Sequence, residues 1–248
     1  MTERTSRALR ILSLIDVIGI PIYVLLFIWR LEFSARYAWI IFPVWVAISF
    51  LLHRDTPKTL GWRADNLWPA TKWALAALAI MAALLIITGV ALGQPRHIPP
   101  NLRSPARFWS YFAFCLLQQV ALNSLLTNRL LSLLRRDWVA ALTAGTIFAA
   151  CHWPNPVLVP LTFVGGAVMA WMFGRVRNII PLVFGQVLLG MLVSWAFPMA
   201  WHHHLRVGPG YYSRPWRSQL LAPCCRQSSP GRSVPAGNEV KAPDPNCS

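Results

Sequence analysis

The chain of 248 residues is 56% hydrophobic and only 12% charged, with a mean hydropathy of +0.47, which excludes an ordinary soluble domain and points to a polytopic membrane protein. Its 23 Lys and Arg against 8 Asp and Glu give a formal charge of +15. The arginines are scattered between apolar runs instead of gathering on one face, so membrane lipid headgroups are the expected partners and nucleic acid is not.

In chain order, seven apolar stretches approach the roughly 20 residues that a bilayer requires. They run at about 11–29, 37–52, 71–93, 107–127, 138–152, 157–173 and 179–200. The first lacks a small-residue cleavage site and reads as a retained helix, with Asp16 as its one acid and Pro21 as a kink. The second, fifth and sixth are short, and only "WPNP" joins the last two of these, so their ends should be shielded by other helices. The third is Ala- and Leu-rich with no polar centre and is expected to face lipid. Thr162, Gly166, Ala170 and Gly174 form a small-residue seam on span six, and Ala141, Gly145 and Ala149 form its counterpart on span five. Spans four to seven are therefore the expected core.

Four basic clusters fall on one side if the chain enters the membrane from the cytoplasm. They are Arg4/Arg7/Arg10, the loop "RDTPKTLGWRADNLWPATK", Arg129/Arg135/Arg136 and Arg175/Arg177. Arg96, Arg103 and Arg107 reduce the contrast. The expectation is a multi-pass protein of the cell membrane with a cytoplasmic N-terminus. From Val207, in "VGPGYYSRPW", Pro, Ser, Gly and Arg dominate and periodicity is lost, and 201–248 is expected to be a disordered basic tail. The organisation expected is thus three N-terminal spans in 1–105, a four-span core in 106–200 and this tail, an all-α transmembrane bundle. Of five cysteines, Cys115 and Cys151 lie in apolar segments and Cys224, Cys225 and Cys247 in the tail, which suggests no disulfide framework.

The chemistry-bearing residues lie where polar groups are expensive. Helical spacing puts Cys115, Gln119, Asn123 and Thr127 on one face of span four, with Gln118 about 100° around. Span five ends in "FAACHW", stacking Phe148 and His152, and span seven places Gln186, Gly190 and Ser194 on one face. Polar groups of this kind should converge away from lipid. Each also has a plainer reading: an amide serves as interhelical glue, a lone His at a span end sits in the interface, and Asp16 is a satisfied interior residue. His202, His203 and His204 look like a metal clamp, but adjacent side chains do not point together, and an interfacial turn is the simpler reading. No metal or cofactor is expected.

In this order the motifs resemble the CAAX-protease and bacteriocin-processing enzyme family (CPBP, also called Abi), a group of polytopic intramembrane endopeptidases. Its pattern is Glu-Glu-x-x-x-Arg, then Phe-x-x-x-His, then His with Asn four residues on. Here "QQVALN" (Gln118 to Asn123) stands in the first place and "FAACH" (Phe148 to His152) matches the second. "GRVRNIIPLVFGQVLLG" leads to Gln186 and Gly190 in the third. The resemblance spans roughly 105–195 and implies His152, Gln118, Gln119 and Gln186 as site positions, with Asn123, Phe148 and Gly190 around them. It also implies a membrane-bound or prenylated peptide as substrate. The departures fall on the chemistry: the glutamates are amides, and the arginine that would pair with them is Asn123. Two functions follow as expectations, an intramembrane endopeptidase impaired or lost in this chain, or a non-catalytic module binding in the former cleft. A channel has little support, there being no repeat symmetry or ring of charges.

Overall fold

A computed structural model of the chain describes residues 3–35, 37–93, 104–134 and 136–212, and every element among them is helical. In chain order these are α1 (Glu3–Leu26), α2 (Ile41–His53), α3 (Leu67–Ala91), α4 (Pro105–Gln119), α5 (Asn128–Leu133), α6 (Asp137–Ala150), α7 (Leu158–Val176), α8 (Ile180–Ala196), α9 (Met199–His202) and α10 (Pro209–Tyr212). A π-helical segment, Val120–Thr127, joins α4 to α5 into one continuous rod, and another, Phe27–Leu31, extends α1. The seven expected spans are all present as helical rods; the first begins earlier than expected, at Glu3, and the fourth runs on to Leu133. Arg7–Ser34, Leu67–Ala91 and Leu158–Val176 are long and apolar enough to cross a membrane by themselves, whereas α2, α6 and α8 are shorter apolar helices. Arg96, Arg103, Arg135 and the chain from 213 onward, with its three cysteines, lie outside the described residues.

The α4–α5 rod is the centre of the bundle. Leu122, Leu126 and Leu130 pack on Ala140, Ala141 and Ala144 of α6 and Ala170 of α7. Leu125, fully buried, meets Ile20 of α1 and Val46 of α2. The seam between α6 and α7 is as close as its small residues suggested: a Cβ placed on Gly145 would lie 2.7 Å from the Phe163 carbonyl oxygen and 2.8 Å from the Ala167 nitrogen. Span three departs from expectation. Instead of facing only lipid, α3 joins the core through Leu85, which clusters with Leu182, Leu189 and Val193 of α8. A Cβ on its Gly89 would lie 2.6 Å from the Trp195 ring. Ile80, Leu84, Ile87 and Val90 on its other faces stay exposed. The small residues on that face, Ala74, Ala77 and Gly89, are what allow the close approach to α8.

One end of the bundle is closed by the 54–66 loop, which is folded into the bundle. Its inward carbonyls need donors, and buried side chains supply them. Ser124 Oγ donates to Leu60 O at 2.6 Å, Asn128 Nδ2 to Thr59 O at 2.8 Å and Asn178 Nδ2 to Arg63 O at 2.7 Å. Ile179 N donates to Gly61 O at 3.0 Å. Gly61 adopts φ +84°, and a Cβ there would strike Phe173 at 2.6 Å, so a side chain is disfavoured on both counts.

The opposite end corrects the expected tail boundary at 201. Residues 199–212 are folded, as α9, a 3₁₀ turn (His203–Leu205) and α10. The anchor is Asn155, fully buried in the turn between α6 and α7. Its Nδ2 donates to His202 O at 2.9 Å and Arg206 O at 3.0 Å, while its Oδ1 accepts from Val157 N and Leu158 N and so starts α7. Gly208 N donates to Trp153 O at 3.0 Å. Composition gave no sign of this because one amide, a few backbone bonds and two isolated apolar side chains, Leu205 and Val207 against the core, hold the segment without a periodic hydrophobic face.

Gly145→Val is expected to force α6 and α7 apart and to destabilise the protein by about 1–3 kcal/mol, the usual cost of overpacking. Thermal unfolding in detergent micelles measures it, and Gly185→Val in α8, with no atom within 4 Å of the added Cβ, is the control for a β-branched side chain replacing a helical glycine.

Candidate functional site

Where α4, α7 and α8 meet, the amides bond to one another. Asn123 Oδ1 accepts from Thr127 Oγ1 at 3.2 Å, and Asn123 Nδ2 donates to Gln119 Oε1 at 2.6 Å. Gln119 Nε2 donates to Gln186 Oε1 at 2.7 Å, and Gln186 Nε2 donates to Gln118 Oε1 at 2.5 Å. The result is a ladder running in one direction, Thr127 to Asn123 to Gln119 to Gln186 to Gln118, across two helices. Gln119, Asn123 and Thr127 are fully buried, while Gln118 and Gln186 are half-buried at the open end. Met169 of α7 touches the middle, its Sδ 3.0 Å from Gln119 Nε2.

The polar stripe read from four-residue spacing therefore exists, but its backbone differs from the expected α-helix. The π-helical segment begins directly after Gln119. Thr127 Oγ1 donates to Leu122 O, five residues back, at 2.7 Å, as the wider turn permits. Cys115 and Val187 pack beside the ladder with Tyr111. Gly190 stands where the resembled pattern has Asn, and a Cβ on it would collide with the Tyr111 hydroxyl. Tyr111 thus fills the space a side chain at 190 would need. It was missed in the sequence, although four-residue spacing carried one turn back from Cys115 reaches it.

His152 lies apart from the ladder. Its Nδ1 donates to Phe148 O at 2.7 Å and its ring meets Phe148 edge-on at 4.7 Å between centroids. That bond puts the proton on Nδ1 and the basic lone pair on Nε2. Among the described residues, His152 makes no hydrogen bond to any of the four amides. Ser194, expected on the polar face of α8, is buried one helical turn beyond Gly190. The three consecutive histidines do not act together: His202 Nδ1 accepts from Leu205 N at 3.2 Å, whereas His203 stacks on Tyr211 at 4.3 Å.

A second polar cluster, charged this time, lies further along the same rod. Arg129 was expected in a loop after span four; it is buried inside α5, 4% exposed, because α1 and the loop after α2 hold its counter-ions. Arg129 Nε donates to Asp16 Oδ2 at 3.3 Å, and its Nη2 to Asp55 Oδ2 at 2.6 Å and Ser49 Oγ at 3.0 Å. Asp16 accepts further from Ser49 Oγ at 2.5 Å and Trp45 Nε1 at 3.1 Å. His53 completes it, bonded to Ser49 O at 2.9 Å and to Ser13 Oγ at 3.2 Å. Asp16 is thus the satisfied interior residue of the plainer reading, and the cluster ties α1, α2 and α5 together.

These features define an all-helical protein of membrane character whose buried amides gather at one junction of three helices. Residues 108–192, which contain the whole ladder, match the family model described as type II CAAX prenyl endopeptidase Rce1-like. This stretch is thus similar to the CAAX-protease family that its motifs resembled. No curated protein and no solved structure matches the chain.

Removing the buried cation should be far worse than removing the whole cluster. Arg129→Met leaves two buried acids without their shared cation and is expected to cost about 3–5 kcal/mol. The neutral triple variant D16N/D55N/R129Q should lose markedly less, as read by thermal unfolding in detergent micelles.

Proposed function

We propose that this chain is a CAAX-protease-like membrane protein in which the peptide-cleaving chemistry is lost or much reduced, while the polar floor of the former cleft persists. The observation that carries this reading is the ladder itself. Gln118, Gln119, Asn123 and Gln186 stand at positions that match the family's catalytic motifs, and their donors and acceptors are spent on one another. In the endopeptidases that the motifs resemble, a glutamate takes a proton from water and returns it to the leaving amine. An amide oxygen is no base near neutral pH, so a glutamine reproduces the shape of that step without its proton transfer. Loss of the arginine fits the same logic, because a cation at 123 would face neutral amides in a low-dielectric site.

His152 is then the remaining proton-handling group of the motif set. Any surviving hydrolysis would use its Nε2 as general base, with Gln118, at the half-buried end, or Gln119, buried next to it, orienting the water. The occupant would be a membrane-bound or prenylated peptide. A second reading shares the site but not the reaction: an amide that both donates and accepts suits an extended peptide backbone, and the exposed end of the ladder offers Gln118 and Gln186 for holding a peptide uncut. The basic clusters support insertion in the cell membrane with a cytoplasmic N-terminus. Arg129 reaches Asp55, Arg177 reaches Asn128 and Asn178 reaches Arg63, so these segments share one end of the bundle.

Purified full-length protein should cleave prenylated CAAX-type peptides at trace level or not at all. The variant Q118E/Q119E/N123R/Q186H should raise turnover by about 10²–10⁴, the usual contribution of a positioned acid–base group. Wild-type turnover of ordinary enzymatic rate, or residual turnover indifferent to His152→Ala, would overturn the respective assignments.

A further inference from the structure

Away from the ladder, the N-terminal turns of α3 and the C-terminal turns of α7 leave a cavity of about 350 Å³ between them. Trp73, Trp171, Met172, Arg175 and Val176 line it. Its volume falls in the range of small-molecule sites. It presents two indoles, edge to face at 6.5 Å, and one cation. The Arg175 guanidinium lies 5.5 Å from the Trp171 ring, and on the neighbouring face of α3 Lys72 lies 5.1 Å from the Trp68 ring. Cation–π contact holds both charges near the indoles and still leaves their donors for a ligand.

The cavity sits at the end of the bundle that carries Arg54, Lys58, Arg63, Arg136 and Arg177. Of the acids at this end, Asp55 pairs with Arg129 and Asp65 with Arg63 at 2.5 Å, and Asp137 lies close enough to Arg177 to interact with its charge. Bidentate pairing with Arg63 holds the exposed Asp65 carboxyl below its usual range. Two turns below the cavity, Ile80 of α3, seven residues on from Trp73, and Val164 of α7, seven residues before Trp171, are exposed apolar side chains on the same faces. A cationic, indole-rimmed recess above an exposed apolar face is chemically matched to one kind of molecule, a headgroup with negative charge carried on acyl chains.

We propose that this recess is a binding site for one anionic phospholipid, its phosphate held by Arg175 with Lys72 beside it, its glycerol region against Trp73 and Trp171 and its chains along the exposed faces of α3 and α7. The site is independent of whether the ladder retains any catalysis.

Native mass spectrometry of the full-length protein, released from micelles holding equal phosphatidylglycerol and phosphatidylcholine, tests it. The wild type should keep phosphatidylglycerol in preference. R175Q should reduce that retention about fivefold, close to the contribution of one basic residue at an anionic surface. R175K should keep most of it, and neither variant should change phosphatidylcholine retention. Arg7→Gln, an exposed arginine on α1, should match the wild type. Equal retention of the two lipids by the wild type, an R175Q indistinguishable from it, or an equal loss in Arg7→Gln would each overturn the site. Arg175 is exposed, so its replacement leaves folding intact.

Discussion

A polar group inside this bundle has no water to fall back on, and that constraint shapes nearly every distinctive feature of the molecule. An unpaired donor or acceptor buried in apolar surroundings costs roughly 1–3 kcal/mol, and an unpaired charge considerably more. The structure meets this requirement in three local ways. Amides answer amides along Thr127, Asn123, Gln119, Gln186 and Gln118. Charges answer charges around Arg129. Side chains of Ser124, Asn128 and Asn178 answer the loop carbonyls at one end, and Asn155 does so at the other.

The two polar clusters share one helical rod and solve the problem differently, with consequences for function. The ladder is neutral throughout, so it needs no counter-ion and tolerates a wholly buried centre. It can also hold no proton that matters near neutral pH. The Arg129 cluster is ionic and requires two acids and a serine from other elements to be tolerable. Interhelical hydrogen bonds in membranes average about 0.6 kcal/mol each, so the two bonds that tie α4 to α8 contribute only about 1 kcal/mol. The amides are thus modest as glue, which is consistent with a site inherited from a protease family, not one assembled for stability.

Packing explains how short helices persist beside these clusters. α6 has 14 residues, too few to cross a bilayer in isolation. Its glycine-lined contact with α7 and the turn fastened by Asn155 shield its ends from the surroundings, which is what an abbreviated span needs. The same device, a glycine against a neighbouring ring at Gly89 and Trp195, draws α3 onto α8.

Hydropathy alone determined the class of this protein and the approximate bounds of its seven rods, since a run of apolar residues at span length has few other uses. Four-residue spacing also located Gln119, Asn123 and Thr127 on one face, and the small-residue seams identified α6 and α7 as partners, because both signals are local to a single helix. The ladder's crossing from Gln119 to Gln186, the filling of the space at Gly190 by Tyr111, the withdrawal of Arg129 into the interior and the folding of residues 199–212 were decided only by the tertiary structure. Each depends on which segments, distant in the chain, face each other, and a hydrogen bond or ion pair across 67 or 113 residues leaves no periodic trace in sequence.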